Sequence, residues 1–315
     1  MARFVVRRLL SMLVVLFAVS VLTFLIFNVI PGGDPALRMA GRQPDPAQLE
    51  RIREDWGFDE PVYVQYLKTM GQLFSGELVS YSTQQNVVAE IGKRLGRTFS
   101  LAIGAAIMWM AFATALGLYT AIRAGRLSDR LLTILALVGI SMPVFWVGAL
   151  MNYYLGFKAG IFPNGDYVPL GEDPLEWLYH LILPWTALSL LFIGVYSRVL
   201  RSNVLDTLSE DYVRTARAKG LSERRVLVRH VLRNSMIPIV TLWGLDFGAV
   251  LGGGAILTEA VFDLQGVGQY VAESVDQLDV PPVLAVTMFG AFFIVLLNTV
   301  VDIVYAVLDP RIRLT

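Results

Sequence analysis

Residues 209–221 read Ser209-Glu210-Asp211-Tyr212-Val213-Arg214-Thr215-Ala216-Arg217-Ala218-Lys219-Gly220-Leu221, and this polar stretch lies between two long apolar runs. Glu210 and Asp211 suit the positive end of a helix that begins there. Gly220 follows the helical pattern in the position of a C-terminal capping glycine. The stretch therefore predicts a short helix with one semi-apolar face, formed by Leu208, Tyr212, Thr215 and Ala216.

A second helix is predicted directly after Gly220. Ser222 is a suitable N-cap, and Val226, Leu227 and Val231 recur along the next turns beside the arginines at 225, 229 and 233. Pro238 is expected to begin the following membrane segment, where proline is tolerated. Eight Lys or Arg residues lie between 201 and 233. We interpret the block as a helix–Gly–helix unit on the membrane surface, shaped to be held by another molecule.

The composition is that of an integral membrane protein. Of the 315 residues, 55% are hydrophobic and 17% are charged, against roughly 25% charged in soluble domains. There is no cysteine, which excludes disulfides and thiolate metal sites. His180 and His230 lie in different segments and do not suggest a metal pair, so no metal site is predicted.

Six apolar runs are long enough to cross a bilayer. The first, 9–30, is too long for the apolar region of a signal peptide and precedes no small-residue cleavage site, so it is expected to remain as a span. Pro143 and Pro184 interrupt two of the others, which membrane helices accept. The predicted fold is an all-α membrane protein with spans at 9–30, 98–122, 131–157, 179–200, 237–258 and 283–308.

Residues 31–97 form a polar insertion between the first two spans. Asp45-Pro46, Pro61 and Asn86 are each placed to begin a helix. The insertion is expected to be a small helical cap on the extracytoplasmic face, and a direct docking role stays open. The predicted organisation is 1–30, 31–97, 98–308 with a loop at 201–236, and a tail at 309–315.

Loop charges predict the orientation of the spans. Sixteen Lys or Arg residues lie on the side of the N-terminus, whereas the opposite loops 159–178 and 259–282 contain none. The insertion carries eight, but a loop of that length is translocated largely regardless of its charge. Both termini and residues 201–236 are therefore predicted to be cytoplasmic.

The fifth span contains features unusual for an apolar helix. Gly244, Gly248 and Gly252 recur every four residues, a small-residue stripe that allows close helix approach or lines a path. Asp246 lies in the middle of the same span, where a charge costs about 2.5–3.5 kcal/mol. It is expected to face the translocation path, or else to make a structural hydrogen bond or carry a proton. Asp302 in the sixth span could also face the path, but Asn298 and Tyr305 lie within one turn of it and could hydrogen-bond its carboxylate instead.

No enzyme is evident in the chain. The phosphate-binding pattern Gly-x-x-x-x-Gly-Lys-Ser/Thr is absent, and no Ser/His/Asp arrangement or carboxylate pair stands out. The protein is not a self-sufficient ATPase.

Several stretches resemble the peptide/nickel (dipeptide and oligopeptide) branch of ATP-binding-cassette import permeases, and together they cover essentially the full chain. The loop motif at 212–221 continues as Arg233-Asn234-Ser235-Met236-Ile237-Pro238. Further landmarks are Leu22-Thr23-Phe24, Ile30-Pro31-Gly32-Gly33-Asp34-Pro35, Gly57-Phe58-Asp59-Glu60-Pro61, Glu259-Ala260-Val261-Phe262, Gly266-Val267-Gly268, Asp279-Val280-Pro281, and Asp302 through Arg313. At Arg214, Thr215 and Ala216 the chain differs from the general importer signature Glu-Ala-Ala, as is usual in the peptide branch. It departs from the branch's own pattern at Gly76-Glu77-Leu78-Val79, where Gly-Asp-Leu-Gly is expected, at Gly96, where proline is expected, and at Asp246, where an uncharged polar residue is expected.

The resemblance implies a type I importer permease in a prokaryotic cell membrane, with no nucleic-acid partner. It would form a heterodimer with a second homologous permease, joined by two ATPase subunits that bind ATP and Mg²⁺ and by an extracytoplasmic solute-binding protein. The chain itself would hold no cofactor. Short peptides are the expected cargo, with nickel or another small solute left open. The implied ATPase-coupling residues are Glu210, Asp211, Tyr212, Val213, Thr215, Ala216, Lys219, Gly220 and Leu221.

Two other classes of function are weighed against this one. A gradient-driven secondary carrier would use Asp246 and Asp302 as proton or cation sites, but it has no need of the 209–238 block. A membrane scaffold would use the basic block to bind anionic lipid, but it has no need of Gly220 or of a capped two-helix pattern.

Overall fold

A computed structural model gives the structure of residues 2–29, Ala36, Met39 and 45–308. Most of these residues are helical, and among them the only β-type pairing is one antiparallel bridge between Val79 and Asn86. The predicted all-α fold is confirmed. The motif at 30–35 and the tail at 309–315 lie outside the described residues.

The helices are numbered in chain order. They are α1 (Ala2–Phe24, continued as a π-helix over Leu25–Val29), α2 (Pro46–Trp56), α3 (Val62–Ser75), α4 (Val87–Ile122), α5 (Leu127–Ser141), α6 (Val144–Lys158), α7 (Pro174–Leu208), α8 (Asp211–Ala218), α9 (Glu223–Gly254), α10 (Ile256–Val261), α11 (Val267–Asp276) and α12 (Val280–Leu308).

Within the described residues, five helices are long and apolar enough to cross a membrane: α1, α4, α7, α9 and α12. The predicted third span, 131–157, is not one helix, because α5 and α6 meet at an angle of 100°. Pro143 has a fixed φ and no N–H to donate, and it forces the preceding Met142 into an extended conformation. Pro184, in contrast, lies inside an uninterrupted α7.

One predicted boundary and one predicted helix start are wrong. Asn86 caps a helix as predicted, through a 2.8 Å bond from the backbone N–H of Ala89 to its Oδ1, but the predicted boundary between the insertion and the second span at 97/98 lies inside α4, which is continuous from Val87 to Ile122. Pro238 does not begin the fifth span, because it lies inside the continuous α9. A membrane helix accepts an internal proline where neighbouring groups satisfy the freed carbonyl.

The insertion begins as the capping residues predict. Asp45 is the N-cap of α2 and Pro61 that of α3, and Gly57 and Gly76 end these two helices with positive φ angles of 68° and 79°. The insertion is then fastened to the start of α12. The buried carboxylate of Asp279 accepts hydrogen bonds from Ser80 Oγ (2.5 Å) and from the backbone N–H of Tyr81 (2.9 Å).

The main core lies between α4 and α7, which pack along much of their length. Trp109, Tyr196 and Leu200 are fully buried there. The helices approach closely at Gly117, where a Cβ would lie 2.7 Å from the backbone oxygen of Ser197. The same hydrophobic cluster extends to Val213 on α8 and Val226 on α9, so the surface block is joined to the core of the bundle.

Candidate coupling surface and polar residues of the bundle

Helix α8 is a short element with defined ends. Glu210 is its N-cap, without a side-chain hydrogen bond, and Asp211 lies in the first turn. At the other end Gly220 has a φ of +78°. Its N–H donates to the carbonyl of Arg217 (2.9 Å), and the N–H of Leu221 donates to that of Ala216 (3.4 Å). This pair of bonds is a Schellman motif, so the predicted capping role of Gly220 is confirmed.

The buried face of α8 differs in part from the predicted one. Val213 and Ala216 are buried, and they pack into the core of the bundle. Tyr212 and Thr215, predicted on the apolar face with Ala216, are exposed, and Lys219 continues their stripe at helical spacing. The periodicity could not separate the two faces, because the small residues of α8 fit either side. Of the predicted coupling residues, Val213 and Ala216 therefore hold the helix in place, and Glu210, Asp211, Tyr212, Thr215, Lys219 and Gly220 are exposed.

Helix α8 is also tied to the start of α9. Tyr212 Oη accepts a hydrogen bond from Asn234 Nδ2 (2.6 Å) and donates to the backbone oxygen of His230 (3.3 Å). Arg217 forms a two-pronged ion pair with Glu223. Ser222 occupies the predicted N-cap position, but its side chain makes no capping bond. The hydrogen bond between Tyr212 and Asn234 joins two parts of the loop motif. Their order along the chain is evident from the sequence, but their contact is not.

A buried ion pair braces the same end of the bundle. Arg201 on α7 donates from Nε to Asp129 Oδ1 and from a terminal nitrogen to Oδ2, both at 2.9 Å. The backbone N–H of Gly125 donates to the same carboxylate (2.9 Å). Asp129 is only 3% exposed. This pair was not predicted from the sequence. The signal was that Asp129 is the only acidic residue in a loop with Arg123, Arg126 and Arg130, which suggests that it has a specific partner.

The glycine stripe of α9 packs inside this chain. A Cβ on Gly244 would lie 2.2 Å from Val301, and one on Gly252 would lie 2.5 Å from Ile294 and 3.1 Å from the backbone oxygen of Gly290. The stripe, with Gly248 in its middle, therefore lets α9 approach α12. Asp246 lies on the other side of α9, because it is two residues from both Gly244 and Gly248.

Asp246 makes the structural hydrogen bond considered from the sequence. Its Oδ2 accepts a 2.6 Å bond from Oη of the buried Tyr196 on α7. The carboxylate is partly buried. The side chain of Asp302 lies outside the described part of the chain, so the comparison between the two acids rests on sequence alone.

A second buried carboxylate, Glu259, organises the turn between α10 and α11. It accepts hydrogen bonds from Thr98 Oγ1 (2.7 Å) and from the backbone N–H of Gln269 (2.9 Å). Any side chain at Gly266 or Gly268 would collide with it, since a Cβ would lie 2.4 or 2.9 Å from its carboxylate. Burial raises the pKa of Glu259, against the opposing effect of its hydrogen-bond donors. The sequence landmark at 259 therefore supplies the buried acid, and the glycines of the landmark at 266–268 leave room for its carboxylate.

A cavity of about 250 Å³ lies beside Glu259, between the end of α9, α11 and α12. Gly253, which has a φ of +135°, and Gly290 are among its lining residues. Its walls are mostly apolar. No group of three or more His, Cys, Asp or Glu residues is placed to hold a metal ion in the described part of the chain.

Comparison with known proteins agrees with this arrangement. Residues 113–314 match the family profile of the binding-protein-dependent transport system inner membrane component, and residues 1–102 match the N-terminal profile of such membrane components. A Brucella abortus protein named as a peptide transport system permease is 36% identical over 314 residues, with 99% of each chain covered. The glutathione transport system permease protein GsiC of Escherichia coli (strain K12) is 38% identical over 314 residues, again with 99% of each chain covered.

The two profiles together match most of the chain, and both relatives align with 99% of it. The profiles describe a membrane component, and ATP hydrolysis lies in separate subunits of such systems. The chain therefore belongs to the binding-protein-dependent transport system inner membrane component family, as a multi-pass permease of an ATP-binding-cassette importer in a prokaryotic cell membrane.

Proposed function

We propose that this permease imports short peptides, paired with a second homologous permease, two ATPase subunits and an extracytoplasmic solute-binding protein. The names of the relatives in Brucella abortus and Escherichia coli support peptide cargo, because glutathione is itself a tripeptide. The family name supports delivery by a binding protein. ATP and Mg²⁺ belong to the ATPase subunits, since this chain has no phosphate-binding loop.

The observation that carries the mechanism is the form of α8. Val213 and Ala216 anchor it to the core, and the Schellman motif at Gly220 closes its end. Tyr212, Thr215 and Lys219 form an exposed stripe that another protein could contact, although the hydroxyl of Tyr212 is bonded to Asn234. A rigid helix with one anchored face and one open face is able to transmit a movement rather than absorb it. We assign this open face to a groove on an ATPase subunit.

The movement would reach the membrane spans by two routes. Tyr212 passes it to α9 through Asn234, and α7 runs directly into α8. The Asp129–Arg201 pair makes the start of α5 move with α7. Closure of the two ATPases would then rotate these helices as a unit and change which side of the membrane the path opens to.

The six-span arrangement and its sidedness are part of the proposal. Counting α5 and α6 as one broken span gives six, which puts both termini on one side. The uneven distribution of Lys and Arg among the loops supports a cytoplasmic location for α8 and an extracytoplasmic one for the insertion.

The translocation path is assigned to the side of α9 that carries Asp246. Its partly buried carboxylate, oriented by Tyr196, would present a polar group to a peptide. Gly248 and Gly252, on the other side of α9, would support this wall by holding α9 against α12. An acid here would favour cargo with a free amino group or another cationic group.

Reconstitution tests the proposal. The chain would be assembled with its partner subunits in proteoliposomes, and uptake of a radiolabelled dipeptide measured with the binding protein outside. We expect uptake that requires both the binding protein and ATP. Uptake driven by an ion gradient without nucleotide would instead identify a secondary carrier, and uptake of Ni²⁺ but not peptide would correct the cargo.

Labelling of α8 tests the coupling assignment. Because the chain has no cysteine, Thr215→Cys provides a unique thiol on the open face. It should cross-link to an ATPase subunit, while Ser75→Cys at the end of α3 serves as a matched exposed control that should not. Cross-linking of neither position would contradict the assignment of α8.

A further inference from the structure

Helix α3 of the insertion has an apolar face that the protein covers only in part. Tyr66, Met70 and Leu73 lie at i, i+4 and i+7 and pack against the bundle. Tyr63, Leu67 and Phe74 lie directly beside them on the helix but are 69%, 64% and 81% exposed. The two stripes form one apolar arc, and the opposite side of α3 carries Gln65, Lys68, Gln72 and Ser75.

The covered half of this arc rests on two membrane spans. Tyr66 Oη shares a 2.7 Å hydrogen bond with Ser20 Oγ, and its ring packs edge-on against Phe24 at 5.4 Å. Met70 packs with Leu284 of α12 in the same cluster. The contacts therefore join α3 to the ends of α1 and α12 that lie nearest the insertion.

The depth of these contacts places α3 at the membrane boundary. Among the described side chains, the candidate span in α1 extends to Phe27, so Ser20 lies at least about 10 Å inside its end at 1.5 Å per residue. The apolar part of α12 begins at Val280, so Leu284 lies about 6 Å inside it by the same measure. A helix that packs at these levels has lipid headgroups and the outer acyl carbons beside it.

The charge content of the two insertion helices supports the same placement. Helix α2 has five charged residues in eleven positions and buries none of its side chains. Helix α3 has one charge, Lys68, in fourteen positions. Three large apolar side chains on one helical face are not left in water without a reason, and a polar face opposite an apolar arc is the pattern of a helix that lies in the bilayer surface.

We propose that α3 is an interfacial helix whose Tyr63, Leu67 and Phe74 side chains insert into the lipid bilayer on the side of the membrane that carries the insertion. The occupant of the exposed half of the arc is lipid, not the second permease and not a soluble protein. The proposal needs only the packing of α3 on the spans, and it holds whichever cargo the transporter carries and whichever side the insertion faces.

Spin labelling measures this directly, and the absence of cysteine in the chain makes each introduced thiol unique. Leu67→Cys and Phe74→Cys place nitroxides on the apolar arc, and Lys68→Cys and Gln72→Cys are matched controls on the polar face. The full assembly would be reconstituted in nanodiscs of phosphatidylcholine and phosphatidylglycerol. The assembly with the unsubstituted chain supplies the background from labels on partner subunits.

The readout is the accessibility of each nitroxide to oxygen, which concentrates in lipid, and to a water-soluble nickel chelate. We expect labels at 67 and 74 to favour oxygen and labels at 68 and 72 to favour the chelate, so the ratio should reverse within one turn. High chelate accessibility at 67 and 74 would show that the face is in water and overturn the proposal. Low accessibility to both reagents there would show that a protein covers the face, and would also overturn it.

Discussion

The C-terminal cap of α8 offers the sharpest test of the coupling surface. Gly220 has a φ of +78°, and a Cβ there would meet no other atom within 4 Å. A substitution at 220 therefore changes the backbone conformational energy without causing a clash inside this subunit. Alanine in the left-handed region costs about 1–2 kcal/mol, asparagine less, and a β-branched residue such as valine more.

Each 1.4 kcal/mol is a factor of ten in an equilibrium, so Gly220→Ala should reduce the fraction of closed Schellman turns by roughly 5- to 30-fold relative to open ones. We expect transport in the order Gly220, Gly220→Asn, Gly220→Ala, Gly220→Val, from highest to lowest. Membrane insertion should be equal in all four, because the core residues of α8 are unchanged.

The assay is binding-protein-dependent uptake in proteoliposomes, run beside ATP hydrolysis and the amount of assembled complex. Loss of uptake with normal assembly would locate the defect in coupling. If Gly220→Val transports as well as Gly220→Asn, the turn does not depend on its left-handed backbone, and the reasoning is refuted.

Three further outcomes follow from the packing. Gly117→Ala should lower the melting temperature, because overpacking costs about 1–3 kcal/mol. Gly96→Ala in the same helix is the control: its Cβ would have no atom within 4 Å, so it should raise the melting temperature slightly. Equal melting temperatures for the two variants would contradict the clash at Gly117. Arg201→Ala should destabilise the protein by about 2–4 kcal/mol, less than the loss of a fully buried ion pair, because the Arg201 side chain is 30% exposed. Adding Asp129→Asn should recover part of that loss. If the effects of the two substitutions on thermal unfolding simply add, the two residues are not paired. The raised pKa of Glu259 means that its favourable contribution is complete below pH 4.5 and is lost as pH rises through the folded-state pKa. Glu259→Gln should therefore reduce the decline in melting temperature as pH rises through this range. If the melting temperature falls with pH equally steeply in the variant, Glu259 is not the group responsible.

Local signals in the chain predicted local structure well. Asp45, Pro61 and Asn86 each begin a helix, and Gly220 ends one, because caps act on backbone groups within a few residues. Five of the long apolar runs likewise fall on helices that are long and apolar enough to cross a membrane, since such a segment must satisfy its own backbone in lipid. These features need no knowledge of what lies across the bundle.

Signals that depend on neighbours were harder to interpret. The continuity of α4 across residues 97 and 98 and the interior position of Pro238 were missed, because neither a change from polar to apolar residues nor a proline by itself ends a helix. The face of α8 was predicted only in part, because Val213 and Tyr212 are both compatible with burial in isolation.

From the sequence alone, the family, the membrane character and the short helix that ends at Gly220 could all be predicted. Only the tertiary structure decided which groups pair: Asp129 with Arg201, Tyr212 with Asn234, Asp246 with Tyr196, and Glu259 with Thr98. It also decided that the stripe containing Gly248 faces α12. The reason is physical, because a buried polar group or a glycine stripe shows in the sequence only that a partner is needed, and the partner is chosen by helices that meet far apart along the chain.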